Sequence, residues 1–140
     1  MRHAKHTFKI GSSSSHRRCL IANMLKALIY HNRIRTSVAK AKELRRYADK
    51  MVTLAKTNTL ATRRKAAGEM MIRFNQLSSK EARKAKEGNH SAYNADRVLL
   101  TKLFGELREK YQDRQGGYTR IIRDQSRRGD ASEQCYIEYI

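Results

Sequence analysis

RIRTSVAKAKELRRYADKMVTLAK, residues Arg33 to Lys56, changes its period part-way along. Arg33 to Ser37 alternates basic and β-branched residues, which is the pattern of a short strand. From about Ala39 to Lys56 the apolar positions are Leu44, Tyr47, Ala48, Met51, Val52 and Ala55. They recur at steps of three and four, so they share one face of a helix. Lys42, Arg45, Arg46 and Lys50 fall on the other side. A strand that leads straight into an amphipathic helix predicts a fold in which helices cover a sheet.

The flanking sequence supplies the other elements. Upstream, Leu20, Ile21, Met24, Leu25 and Leu28 mark a first helix, with Ser14 or Ser15 as its expected cap and Asn32 as the turn after it. Downstream, Thr59 or Thr62 can cap a third helix, which Ala67, Met70, Met71, Phe74 and Leu77 continue. Ser78 to Ala92 is strongly polar and reads as a surface excursion, part helix and part loop. A fourth helix begins near Asn94, with Asp96 in its favourable first turn. Its apolar stripe is Leu100, Leu103, Phe104, Leu107 and Tyr111, and it runs toward Gly116-Gly117. Tyr118 to Arg123 and Gln134 to Ile140 read as two closing strands, with a turn region from Asp124 to Asp130 between them. The fold class is therefore mixed α/β of the α+β kind: a two-layer helix-on-sheet domain in the order helix, strand, three helices, two strands. Residues 1–15 are expected to form a basic N-terminal arm. Residues 16–140 are expected to form a single domain with the polar excursion at about 78–92.

Charge narrows the function. The 140 residues carry 31 Lys and Arg against 13 Asp and Glu, a net charge of +18. Residues 1–42 hold ten of those cations and no acid. Self-repulsion of this size weakens a compact chain unless a polyanion offsets it. Nucleic acid and an anionic membrane are the two candidates. No apolar run approaches a membrane span, and the start MRHAKHTFKI has no apolar core of the signal-peptide type. Trp is absent, so the aromatic anchors of a membrane-surface helix are thin. Nucleic acid is the stronger candidate.

Catalytic patterns are missing. No G-x-S-x-G, P-loop or G-x-G-x-x-G occurs, and the acids are scattered among bases like surface pairs. Cys19 and Cys135 are far apart and form no metal-ligand spacing, which predicts two reduced thiols. His3 and His6 have no carboxylate nearby to complete a metal site, so neither a metal nor a cofactor is expected. The protein is expected not to be an enzyme and to take no small-molecule substrate.

Binding patterns are present. Arg17-Arg18, Arg45-Arg46, Arg63-Arg64 and Arg127-Arg128 are doublets of the residue best suited to bidentate phosphate contact. Arg2, Lys5 and Lys9 add charge along the arm, and Arg114 and Arg120 frame Gly116-Gly117-Tyr118. Gly116, Gly117 and Gly129 permit backbone shapes closed to other residues. Base-reading motifs are absent, which favours recognition of backbone and shape, as on folded RNA. A nonspecific DNA-packaging protein is the alternative, since it would use the same electrostatics.

HRR at 16–18, Asn23, KAKELRR at 40–46, TLAK at 53–56, RR at 63–64, KLF at 102–104, RQGGYTRI at 114–121, RGD at 128–130 and YIE at 136–138 occur in one order over nearly the whole chain. In this the sequence resembles the family of bacterial large-subunit ribosomal protein number seventeen. The resemblance implies a structural protein of the large subunit, cytoplasmic and ribosome-bound, that contacts large-subunit (23S) ribosomal RNA near the nascent-chain tunnel exit. It also implies neighbouring ribosomal proteins, number thirty-two among them. On these positions it implies an RNA-binding arm with Arg2, His3 and Lys5, joined to the first helix at His16, Arg17 and Arg18. It further implies a basic second helix with Lys40, Lys42, Arg45 and Arg46, and a glycine-rich hairpin with Gly116, Gly117, Tyr118, Arg120 and Arg128.

Overall fold

The structure, a computed structural model, describes residues 10, 11 and 13–140. The arm residues Arg2, His3, Lys5 and Lys9 lie outside the described residues.

Helix α1 (Ser14–His31) starts one residue earlier than expected, because Ser13 is the cap. Its side-chain oxygen accepts from the His16 N–H at 3.3 Å. The helix buries Ile21, Ala22, Leu25, Leu28 and Ile29. Met24 is only half-buried, so the contact stripe is rotated slightly from the expected one. Asn32 ends the helix at φ 62°, and its N–H donates to the Leu28 carbonyl at 2.8 Å. Asparagine tolerates this left-handed conformation better than most residues. The chain then enters β1 (Arg33–Ser37) at once.

Helix α2 (Val38–Thr57) is the axis of the molecule. It touches all three strands on one side and α1, α3 and the last helical turns on the others. Ala41, Leu44, Ala48, Met51, Val52 and Ala55 have no solvent exposure. The three alanines let neighbours approach closely, while each large side chain buried here stabilises the fold by about 1.5–3 kcal/mol.

Helix α3 (Leu60–Glu69) opens with Thr59 and Thr62 bonding each other's backbone N–H, at 3.2 and 3.0 Å. It does not continue through Met70, Met71, Phe74 and Leu77 as their spacing predicts. Met71 sits at φ 51°, and residues 72–78 are irregular. Their polar backbone groups are taken by distant side chains. The Arg73 N–H donates to Asp96 at 2.7 Å, the Arg73 carbonyl accepts from Asn94 at 2.6 Å, and the Asn75 carbonyl accepts from Arg97 at 2.8 Å. A short α4 (Ser79–Lys86), capped by Ser78 and Glu81, buries nothing and lies within the expected excursion.

Helix α5 (Ala95–Lys102) begins at Asn94 as expected, and the Asn94 side chain accepts from the Arg97 N–H at 3.0 Å. It runs on through a π-helical segment, Leu103–Leu107, into one last turn, α6 (Arg108–Lys110). Leu103 and Phe104 in this segment are both buried, with Leu99, Leu107 and Tyr111. Leu100, expected in the stripe, is half-buried beside them.

Strands β2 (Thr119–Arg123) and β3 (Gln134–Tyr139) complete an antiparallel sheet in the order β1-β3-β2. Ile34, Ile137 and Ile121 stand in one register row. Cys135, Ile137 and Tyr139 point to the helices and are buried, whereas Cys19 is exposed and both thiols are free. The result is the expected α+β fold, with helices on one face of a three-stranded sheet.

Candidate nucleic-acid interface

Among the described residues, the outer face of the sheet carries no helix. Arg33 and Arg120 stand opposite Glu138 in the register, with Arg35 opposite Tyr136. Glu138 accepts from Arg120 at 3.0 Å and forms an ion pair with Arg33 at 3.5 Å, so two cations share one carboxylate. The Arg33 guanidinium carbon also lies over the Tyr136 ring, 4.1 Å from its centre. These three arginines are about half exposed, but Glu138 and Asp124 offset two of their charges, so the face keeps only part of its positive charge for phosphates. Arg33 and Arg35 were not singled out among the sequence's binding candidates. Their alternation in β1 was the available signal.

The loop after β2 lies next to this face. Arg35 pairs with Asp124 at 2.7 Å. Arg127 closes a short loop by pairing with Asp130, which also accepts from the Ser132 N–H at 3.2 Å. The Arg127 guanidinium bonded to it holds the Asp130 carboxyl down at about 2. Arg127 is therefore occupied in shaping the loop. Arg128 has no ion-pair partner among the described residues, so its charge remains available to a ligand. Gly129 has no positive φ, so its expected conformational role is not used.

Gly116 and Gly117 lie where the sequence order puts them, between the last helix and β2, and not in the turn between β2 and β3. They turn the chain from the last helix into β2, at φ 91° and 59°, where a side chain would be strained. The turn is anchored to the far end of α2. The Arg114 carbonyl accepts from Lys56 at 2.8 Å and from the Tyr118 hydroxyl at 3.1 Å. Tyr118 is buried against Tyr111, 5.2 Å between ring centres, so its ring holds the turn in place and is not open to a ligand.

Of the expected basic helix face, Lys50 is taken by Glu69 at 2.6 Å, and the other cations stay free of such pairs among the described residues. Lys40, Lys42, Arg45 and Arg46 are exposed on the first two turns of α2 and make no ion pair among the described residues. The start of this helix lies beside the β2–β3 loop, because the Val38 N–H donates to the Glu133 carbonyl at 3.3 Å. His16 is exposed in the first turn of α1. Arg17 and Arg18 share a groove with Tyr47 of α2 and Lys65 of α3. Glu43, between the two basic doublets of KAKELRR, is buried at 2 % exposure, and its Oε2 has no hydrogen-bond partner. The candidates thus gather along α2, with Arg17 and Arg18 by its side, Arg128 by its start and Arg114 at its far end. Arg63 and Arg64 lie apart from them, on α3 beside α5.

Among the described residues no three His, Cys, Asp or Glu side chains gather closely enough to hold a metal. Nor is any helix there long and apolar enough to cross a membrane.

Comparison with known proteins gives these surfaces a class. The sequence pattern of one family, described as ribosomal protein L17, matches residues 20–140. The large ribosomal subunit protein bL17 of Chlamydia pneumoniae is 56% identical over 140 residues, covering 100% of this chain and 99% of the relative. The protein of that name from Chlamydia trachomatis serovar L2 is equally similar, at 56% over the same coverage. The one from Chlamydia caviae is 55% identical over the same coverage. The class is that of the ribosomal proteins, whose small, strongly basic make-up this chain shares. Within that class, the chain belongs to the ribosomal protein L17 family.

Proposed function

We propose that the protein is a structural constituent of the large ribosomal subunit, acts without catalysis, and is held there by large-subunit ribosomal RNA. The observation that carries this is the first half of α2. Lys40, Lys42, Arg45 and Arg46 are exposed and unpaired among the described residues, while the opposite side of the same helix is the core of the fold. A helix so fixed presents its cations in one rigid arrangement, and little further order is lost on binding. The sheet face with Arg33, Arg35 and Arg120, together with Arg128, extends the contact area. Arg114 and the arm residues Arg2, His3, Lys5 and Lys9 add cations on the same reading. A neighbouring large-subunit protein, number thirty-two by the family resemblance, completes the expected setting in the cytoplasmic ribosome.

The test is sedimentation of lysate through a sucrose gradient after a high-salt wash, with the wild-type chain and a Lys42→Ala, Arg46→Ala variant. The wild-type chain is expected in the large-subunit peak at one copy per particle. For binding to isolated ribosomal RNA, each contact removed should lower the salt slope by about one unit on duplex-like RNA. A wild-type chain that leaves the particle for the top of the gradient, or that follows DNA, defeats the proposal.

A further inference from the structure

Between α3 and α5 the surface opens into a cleft of about 510 Å³. Its walls are mainly apolar, with Leu60, Phe74, Tyr93, Leu100 and Phe104 among them. Leu60 is 64% exposed and Phe74 55% exposed, a large apolar area for a protein this polar. Gly105, in the π-helical segment, forms part of one wall and keeps it free of a side chain.

Three arginines line the same cleft: Arg63, Arg64 and Arg97. None of them forms an ion pair among the described residues. Two are fixed by the aromatic walls. Arg63 lies over Phe104 at 4.9 Å, and Arg97 lies over Phe74 at 5.0 Å and Tyr93 at 5.4 Å. Arg97 also donates to the Asn75 side chain at 2.9 Å and the Asn75 carbonyl at 2.8 Å, which sets the plane of its guanidinium. Arg63 donates to Asn58 at 2.9 Å.

We propose that this cleft receives an unstacked base of the large-subunit RNA, laid on Phe74 or on the Arg97 plane, with its phosphates beside Arg63 and Arg64. The proposal rests on the ribosomal RNA contact argued above. The lining asks for a ligand that is flat and apolar and also anionic. An apolar peptide segment would cover Leu60 and Phe74 but leave three arginines without counter-charge. A duplex backbone would satisfy the arginines but leave the rings in water. A nucleotide splayed from a loop or bulge meets both demands, since its base has a stacking face and its backbone a charge. Arginine planes and aromatic rings are the surfaces on which such bases stack.

The experiment uses intact large subunits from cells whose sole copy is wild type or Phe74→Ala. Two readouts are taken after a high-salt wash: copies of the protein per particle, and the reactivity of the RNA bases toward dimethyl sulfate at adenine and cytosine and toward a carbodiimide at guanine and uracil, together with ultraviolet cross-links to the protein. Wild-type subunits should give a cross-link from the peptide bearing Phe74 or Tyr93 to one nucleotide. In Phe74→Ala subunits, which should retain the protein because Phe74 is exposed, that nucleotide should lose the cross-link and become several-fold more reactive. Wild-type subunits that hold the protein but show no base cross-linked to the cleft overturn the proposal, whatever the variant does. So does a neighbouring protein segment cross-linked into it. A wild-type protein absent from the particle instead defeats the broader ribosomal reading.

Discussion

Replacing Asp96 with alanine removes one carboxylate that ties three parts of the chain together. Asp96 lies in the first turn of α5, accepts from Lys26 of α1 at 2.9 Å, and accepts from the Arg73 N–H at 2.7 Å. Lys26 and Asp96 are 22% and 17% exposed, so water screens the pair only in part. Leaving the Arg73 N–H without its acceptor costs about 1–3 kcal/mol. Losing a carboxylate from the first turn of a helix costs about 0.3–1 kcal/mol, and a partly exposed ion pair contributes about as much again. The sum is about 1.6–5 kcal/mol. Asp96→Asn keeps an oxygen for the Arg73 N–H and should cost about half of that. Urea unfolding of the full chain gives both values, and a double-mutant cycle with Lys26→Met should return a coupling of about 0.5–1.5 kcal/mol. Burial opposes ionisation of Asp96, but the Arg73 N–H and Lys26 outweigh it and hold its pKa below the ordinary carboxylate value. With the folded pKa depressed, this stabilisation is present above about pH 4 and is lost as pH falls through the folded value. An alanine cost under about 0.5 kcal/mol, or a coupling of zero, would refute the picture of Asp96 as a clamp.

Gly117→Ala should destabilise the chain by about 1–2 kcal/mol, because φ is 59° there, and Gly116→Ala at φ 91° should cost at least as much. Denaturant melts of each variant check this, with Gly129→Ala, where φ is not positive, as the near-neutral control. The Asp130 carboxyl should titrate at about 2 in the wild-type chain, followed by carboxyl NMR, and move up toward its ordinary value in Arg127→Ala. The order that this pair gives the loop is thus complete above about pH 4 and fades only as pH drops through about 2. A wild-type midpoint near 4 would contradict the pairing.

Local signals were legible wherever the structure is decided locally. Thr59 and Asn94 mark helix starts because a capping side chain bonds its own neighbouring backbone, and Asn32 marks an end because asparagine tolerates the left-handed φ there; neither needs anything distant. The stretch after α3 misled the sequence analysis for the opposite reason. Met70, Met71, Phe74 and Leu77 keep helical spacing, but Asn94, Asp96 and Arg97 supply the hydrogen bonds that a helix would have made. Those partners are about twenty residues away in the chain. The cleft beside Phe74 exists because of that departure, so no pattern in the sequence could announce it.

The binding surface divides the same way. Lys42, Arg45 and Arg46 were legible from helical periodicity, which puts them off the apolar face, while Lys40 came only from the family resemblance. Which arginines keep a free charge was not legible, because Arg120 meets Glu138 and Arg35 meets Asp124 only when β1 and β2 flank β3. By itself the sequence determined a basic α+β chain with its strands and main helices, though not the break after α3, because period and capping are short-range. The tertiary structure alone decided the strand order, the burial of Tyr118 and the pairing of its cations, because each depends on groups that only folding brings within a few ångströms.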